Sequence, residues 1–394
     1  MSWIGIIRSD PKNYGGVSDN DFTISTGFTN IDYLNGQIVT KDDGTKQLYA
    51  GISKGRMDMI IGKSGTGKTT LAIQMGMNII QNYENGLLYL FDFEQNNTKE
   101  RFRMVTGVTE EYFDDHCTIL RDGISTESVL RLASKIKEFK LSHEKELLVP
   151  NENGIKDEET GEVIKVLTPT VIIVDSVAMM QAEDNLAEEE IQGSMTATGN
   201  AKINSQLFKK LLQITNKANI IILWINHITQ AVSIGPTPAV PDVNYLKVGE
   251  AISGGKACTY TMDTLFKITA STKLEEDKKW GIKGFEAKIE ICKSRHAPAG
   301  RAVDMIYDQT NGFRNDLSML NYIMSCGGLK GNGMAYYIDG HDEYKFKLSN
   351  YKEKFDTIPE FRELVKSTAR DLLYASIKES DNFQSVEIET QTEE

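Results

Sequence analysis

The sequence predicts an α/β fold with a central, mostly parallel sheet, followed by a small C-terminal α+β unit. Three observations predict it. Apolar runs alternate with helix-patterned segments from Met57 to about residue 310. The runs lack strict apolar–polar alternation, as expected of strands covered on both faces. One run, Met57–Ile61, leads directly into a glycine-rich turn that opens a helix.

In order along the chain, residues 1–24 form an N-terminal segment too short to fold alone, a candidate interface arm. The stretch 25–56 holds the turn-rich Asp42-Asp43-Gly44-Thr45 and reads as a hairpin ahead of the core. The clearest strands are Met57–Ile61, Leu87–Phe93, Val171–Val174, Ile220–Ile225, Thr264–Thr269 and Phe285–Ile291. Lys68–Asn85 is patterned as a helix, with Leu71, Ala72, Met75 and Ile79 on one face and Gly86 closing it. Asn200–Ala218 is a second helix, ahead of the fourth strand. Polar, Gly-containing 149–166 interrupts the alternation and reads as a surface hairpin insertion. The core thus spans 25–315, a small C-terminal domain 316–376, and an acidic tail, read as disordered, 377–394.

No apolar run approaches the roughly 20 residues needed to cross a bilayer. The start, MSWIGIIRSD, lacks the basic-then-apolar pattern of a secretory signal. Cys117, Cys258, Cys292 and Cys326 are too scattered for a zinc site or a disulfide framework, which points to a cytoplasmic protein. A net charge of −12 argues against a general nucleic-acid coat, but leaves room for a local DNA surface.

The chemistry starts at Gly62-Lys63-Ser64-Gly65-Thr66-Gly67-Lys68-Thr69, followed by Thr70, which matches G-x-x-x-x-G-K-[ST]. Such glycines let successive backbone N–H groups face phosphate oxygens, and the following helix presents its positive end. Lys68 would reach the terminal phosphates of ATP and the Thr69 hydroxyl would ligate Mg²⁺. Asp175 ends the run Val171–Val174, where an acid holds the metal's water shell. Asp92 and Glu94 close another strand on one face, and either carboxylate suits activation of a water. Gly62, Glu94, Asp175, Asn226-His227 and Lys293 all read as carboxyl ends of strands, where open α/β sheets collect ligands.

These residues resemble, in order and spacing over about 24–315, the RecA family of DNA recombinases, most of all its T4-type phage branch. Ser25-Thr26-Gly27 with Ile31-Asp32 resembles the lead-in to the family's phosphate loop, and Val171–Ala178 its magnesium strand. Phe91-Asp92-Phe93-Glu94 resembles the strand that delivers the catalytic Glu, which favours Glu94. His227 stands where the family senses the γ-phosphate, and Lys293 with Arg295 where cations reach a neighbour's ATP. The stretches 182–199 and His227 to Gly255 resemble the two DNA-binding loops. Lys202, Ser205, Lys209, Gly254 and Gly255 match DNA-contacting positions, while Lys256 replaces a small polar residue. The resemblance implies ATP and Mg²⁺ as cofactors, single- and double-stranded DNA as partners, self-assembly into a helical filament, and single-strand-binding and mediator proteins alongside. Two other readings share the phosphate loop: a ring-forming helicase motor and an ATP-binding regulatory paralogue.

Overall fold

The computed structural model describes residues 22–40, 44–157, 160–186, 195–230, 241, 243–253, 256–276, 278–332 and 334–391, with 185, 195–201, 256 and 379–391 as backbone only. Ahead of the core lie β1 (Thr23–Ile24), α1 (Thr29–Leu34), β2 (Gln37–Thr40), β3 (Lys46–Tyr49) and β4 (Ile52–Ser53). Strands β2 and β3 form the expected hairpin, and β1 pairs with β4. The buried Asp32 carboxylate binds this lead-in together, accepting from the Ser25 hydroxyl and from both the N–H and hydroxyl of Thr26. Burial nonetheless pushes its pKa up to about 6.

The core follows as β5 (Met57–Gly62), α2 (Lys68–Ile80), β6 (Leu87–Asp92), α3 (Lys99–Thr106), α4 (Glu110–His116), β7 (Cys117–Leu120) and α5 (Thr126–Ser142). Then come β8 (Leu148–Pro150), β9 (Lys165–Leu167), β10 (Thr170–Asp175), α6 (Met195–Ala218), β11 (Ile220–Gln230), β12 (Glu250–Ile252) and α7 (Lys256–Thr261). Four further strands complete it: β13 (Thr264–Leu274), β14 (Gly284–Ser294), β15 (Ala302–Asp308) and β16 (Gly312–Arg314). The main sheet has 10 strands, in the order β16-β15-β14-β13-β5-β11-β10-β6-β7, with β12 on β11. The run from β13 to β7 is parallel, whereas β14, β15 and β16 are antiparallel.

Both faces of the parallel part are covered, which explains the unbroken apolar runs. On β10, Val171 and Ile173 join one core with Leu71, Met75 and Ile79 of α2. Ile172 and Val174 join the other, with Val129 and Ala133 of α5 and Leu207, Phe208 and Leu211 of α6. Helix α2 stops at Ile80, short of the expected Asn85; a Cβ at Gly86 would lie 2.5 Å from the Ile80 carbonyl, so the chain folds back tightly there. The insertion 149–166 is a hairpin, its stem formed by β8 and β9.

Beyond the core, α8 (Asn315–Ser325), β17 (Leu329–Asn332), β18 (Ala335–Ile338), β19 (His341–Phe346), α9 (Tyr351–Thr357) and α10 (Pro359–Gln391) gather a third apolar cluster. It includes Leu320, Phe346, Tyr351, Phe361 and Val365, and reaches the core through Ile306. Helix α10 runs on to Gln391, where the sequence suggested a disordered tail from 377. Val365, Ala369, Leu373 and Ile377 are buried, so an apolar stripe at helical spacing carries the helix into that segment. Among the described residues no helix is long and apolar enough to cross a membrane. Cys117, Cys258 and Cys292 are buried and Cys326 is exposed, none of them in a disulfide.

Candidate nucleotide and DNA site

The strand register aligns the groups that matter. Gly62 at the end of β5 lies level with His227 on β11, and Asp175 lies level with Asp92. From Gly62 the chain turns through Gly65 and Gly67, at φ +74° and +86°, conformations open to glycine and closed to most side chains. Gly67 then caps α2, whose first N–H groups point back into the turn. The Lys68 ammonium is largely buried and donates to the Lys63 carbonyl at 2.9 Å. Burial lowers its pKa, and the nearby Asp175 and Glu94 charges oppose that shift.

Thr69 donates its hydroxyl proton to Asp175 Oδ2 at 2.7 Å, joining the two expected metal-holding groups. Burial raises Asp175 to about 6, against the hydrogen bond from Thr69. A cation beside this carboxylate stabilises its charged form. Curled glycines, a buried ammonium and a hydroxyl–carboxylate pair fit a nucleoside triphosphate with its magnesium. They border a cavity of about 330 Å³ also lined by Ser64, Thr70, Ile73, Glu94, Asn97, Arg101, His227 and Tyr307.

The two candidate bases separate cleanly. Asp92 is fully buried, ion-paired to Arg121 at 2.9 Å, and accepts from the backbone and side chain of Asn97. It is committed to the turn after β6. Glu94 sits beyond the strand end and faces the cavity. Its Oε1 accepts from the Ser176 hydroxyl at 2.7 Å and meets His227 Nε2 at 2.8 Å. An ionised carboxylate has no proton to give, so the ring nitrogen donates. Burial works to raise the Glu94 pKa, but the bonds from His227 and Ser176, with the Lys68 charge, hold it below the usual value.

His227 is also where the sheet leads away from the phosphate loop. Asn226 donates to the Ser253 carbonyl at 2.7 Å, and Ile228–Gln230 pair with β12. Strands β11 and β12 are thus the stem of the long loop that resembles the second DNA-binding loop. A cavity of about 500 Å³ lies between Lys63 of the phosphate loop and this stem, lined also by Thr229, Gln230 and Lys247. Of the other expected DNA residues, Lys202 and Lys209 are exposed and Ser205 half-exposed on α6, opposite its buried Leu207, Phe208 and Leu211. Gly254 and Gly255 lie outside the described residues, as do 187–194 and 231–240, and Lys256 opens α7 with its backbone alone described.

Lys293 and Arg295 are not part of this constellation. Because β14 runs antiparallel, Lys293 pairs with Leu265, which itself lies beside Met59, near the start of β5. The expectation that Lys293 shares the carboxyl-end site of Gly62, Glu94, Asp175 and His227 is therefore overturned: it sits at the opposite end of the sheet. There its ammonium donates to the carbonyls of Thr259, Tyr260 and Met262 at 2.8–2.9 Å, at the end of α7. Arg295 is nearly half exposed and only loosely paired with Asp263, at 3.8 Å. The Arg295 N–H and the His296 ring tie this turn to Asp263.

The sequence reading missed Ser176, Asn97, Arg101, Tyr307 and Arg121. Ser176 and Asn97 follow Asp175 and Glu94 closely, so neighbourhood alone was a signal. Arg101 and Tyr307 stand far apart in sequence and meet by a hydrogen bond of 3.2 Å at the cavity wall. No local pattern announces them.

The family model described as the RecA N-terminal domain matches residues 139–313, a span that includes Asp175, His227, Lys293 and Arg295. Similarity to single proteins reaches further. The chain is 24% identical over 358 residues to Protein RecA of Ureaplasma parvum serovar 3, covering 86% of this chain and 84% of that protein. It is 25% identical over 381 residues to Protein RecA of a Wolbachia from Brugia malayi, covering 93% and 85%. It is 25% identical over 345 residues to Protein RecA of Aquifex aeolicus, covering 85% and 81%. Core fold and these similarities together make the chain RecA-like: it is about one quarter identical to bacterial RecA proteins over most of its length, and the family model matches it from 139 to 313.

Proposed function

We propose that this chain is an ATP-dependent DNA recombinase of the T4-phage kind (UvsX-like), which assembles as a filament on single-stranded DNA and exchanges strands with a homologous duplex. The observation that carries the reading is the 2.8 Å contact between Glu94 and His227. It joins a carboxylate suited to hydrolysis to the strand that becomes the stem of the long loop. An ATPase with no second ligand to serve has no need of that link.

In this reading the backbone N–H groups of Gly65 to Thr69 and the Lys68 ammonium hold the β- and γ-phosphates. Thr69 and Asp175 would hold magnesium, which when bound would supply charge neutralisation at the transferring phosphoryl group. Glu94 orients the attacking water and takes its proton, its low pKa keeping it in the basic form at neutral pH. His227, which donates to Glu94, would respond to the terminal phosphate and pass that response along β11 to β12. Lys202, Ser205 and Lys209 line the single strand along α6. Lys293 and Arg295, at the far end of the sheet, serve the ATP of the next protomer.

A strand-exchange assay with and without ATP tests this. The wild type should exchange a labelled strand only with ATP, and Lys68→Ala should not exchange at all. Electron microscopy of the same reactions should show extended filaments. Closed rings with unwinding but no exchange would instead establish a helicase motor.

A further inference from the structure

The two ends of the sheet need a connection if DNA in the loop after His227 is to affect cations at the opposite end. A strap of chain provides one. Tyr245 lies in it at φ +66°, a left-handed conformation that a bulky residue adopts only when its surroundings enforce it. Two contacts do so. The Tyr245 carbonyl accepts from the ammonium of Lys267 on β13, which also pairs with Glu290 of β14 at 3.3 Å. The Tyr245 phenol donates to the Ala299 carbonyl at 3.1 Å.

The receiving turn is shaped for this ring. Gly300, at φ +91°, follows the accepting carbonyl, and a Cβ there would lie 2.5 Å from the phenol oxygen. Its N–H donates to the Ile291 carbonyl at 2.7 Å, two residues before Lys293. On the other side, the Lys247 N–H donates to the Glu250 carboxylate at 2.9 Å, and Glu250–Ile252 ladder onto Ile228–Gln230 beside His227. A path of hydrogen bonds joined by short stretches of chain therefore runs from Glu94 and His227 along β11 to β12, through Glu250 and Lys247 to Tyr245, and on to the turn that carries Arg295.

We propose that Tyr245 is the positioning residue through which the loop following His227 sets the Lys293–Arg301 turn, so that DNA bound in the loop is transmitted to those two cations. The proposal rests on the recombinase reading and names a specific coupling within it. DNA that repositions residues 243–250 must either carry the phenol and the turn along or break the bond to Ala299. Either change alters how Lys293 and Arg295 are presented.

Tyr245→Phe removes one oxygen and keeps the ring, and Lys267→Met loosens the same strap from the sheet. ATP turnover measured over a titration of single-stranded DNA should show, in both variants, a maximal rate at least threefold below wild type. The DNA concentration giving half of that maximum should move less than twofold. Hydrogen exchange gives a reading independent of turnover: DNA should alter amide exchange across Arg295–Arg301 in the wild type and much less in either variant. Wild-type maximal rates together with an unchanged exchange response would overturn the coupling. So would a shift confined to the half-maximal DNA concentration, which would make Tyr245 a DNA contact. A wild type whose turnover ignores DNA would overturn the recombinase reading itself, a result distinct from both.

Discussion

At the scale of single residues, Glu94 and Asp92 show how position sorts two similar acids. Asp92 is inside, paired with Arg121 and wrapped by the Asn97 turn, so its charge stabilises local structure. Glu94, just past the strand, keeps one edge toward the cavity while His227 and Ser176 hold the other. Glu94→Gln keeps the shape and removes the base. It should bind ATP normally and turn over roughly 10²-fold more slowly or worse, as loss of a general base does. Filter binding and single-turnover hydrolysis check the two halves, and undiminished turnover would remove Glu94 from the mechanism. The motif chemistry of Lys68, Thr69 and Asp175 was legible because those residues are consecutive or end an apolar run. Arg101 and Tyr307 were not, since only the folded sheet brings position 307 to the cavity beside the helix that holds 101.

At the scale of elements, periodicity carried the reading as far as burial was one-sided or complete. Strands β5, β6, β10, β11 and β13 were visible because neighbours on both faces demand apolar residues along them, whereas the half-buried edge strand β7 was not read. Helix α6, read as Asn200–Ala218, buries Leu207, Phe208 and Leu211, and the same 3.6-residue period puts Lys202, Ser205 and Lys209 on the far side. What periodicity does not encode is strand direction. Phe285–Ile291 was read as a strand correctly, but its antiparallel sense sends Lys293 to the other end of the sheet. The α6 face yields a prediction of its own. If Lys202 and Lys209 contact phosphates, Lys202→Ala/Lys209→Ala should weaken single-stranded DNA binding without sequence preference and lessen its dependence on salt. On a plot of log affinity against log salt, the slope should fall by about 1.4, or about 0.7 per lost contact. Fluorescence anisotropy across a salt titration measures it, and an unchanged slope would leave the two lysines as a solvated face.

At the scale of the whole molecule, the sheet separates two sets of charges. Lys68, Thr69, Glu94, Asp175 and His227 occupy the carboxyl end of the parallel strands, and Lys293 with Arg295 the opposite end. Within one protomer the two sets lie at opposite ends of the sheet; in the proposed filament, protomers stacked head to tail would bring them together at each junction. The cations are not idle in the single protomer: Lys293 caps the end of α7, the helix that follows the glycines of the long loop. In the proposed filament, assembly would exchange these carbonyl partners for phosphate and so link hydrolysis to neighbours and to DNA.

The claim of a site shared between protomers is tested most directly by mixing two defective proteins. Lys293→Ala/Arg295→Ala keeps its own phosphate loop and lacks the cations proposed to complete a neighbour's site; Lys68→Ala has the opposite defect. A cation supplied across an interface contributes on the order of 10³–10⁵ in rate, so each protein alone on single-stranded DNA should be nearly inactive. The account predicts that the mixture hydrolyses ATP at a rate well above the sum of the two, because half-sites from the two proteins combine at their junctions. If both variants are folded and assemble together on DNA, yet the mixture is no more active than its components, the two ends of the sheet do not share a site.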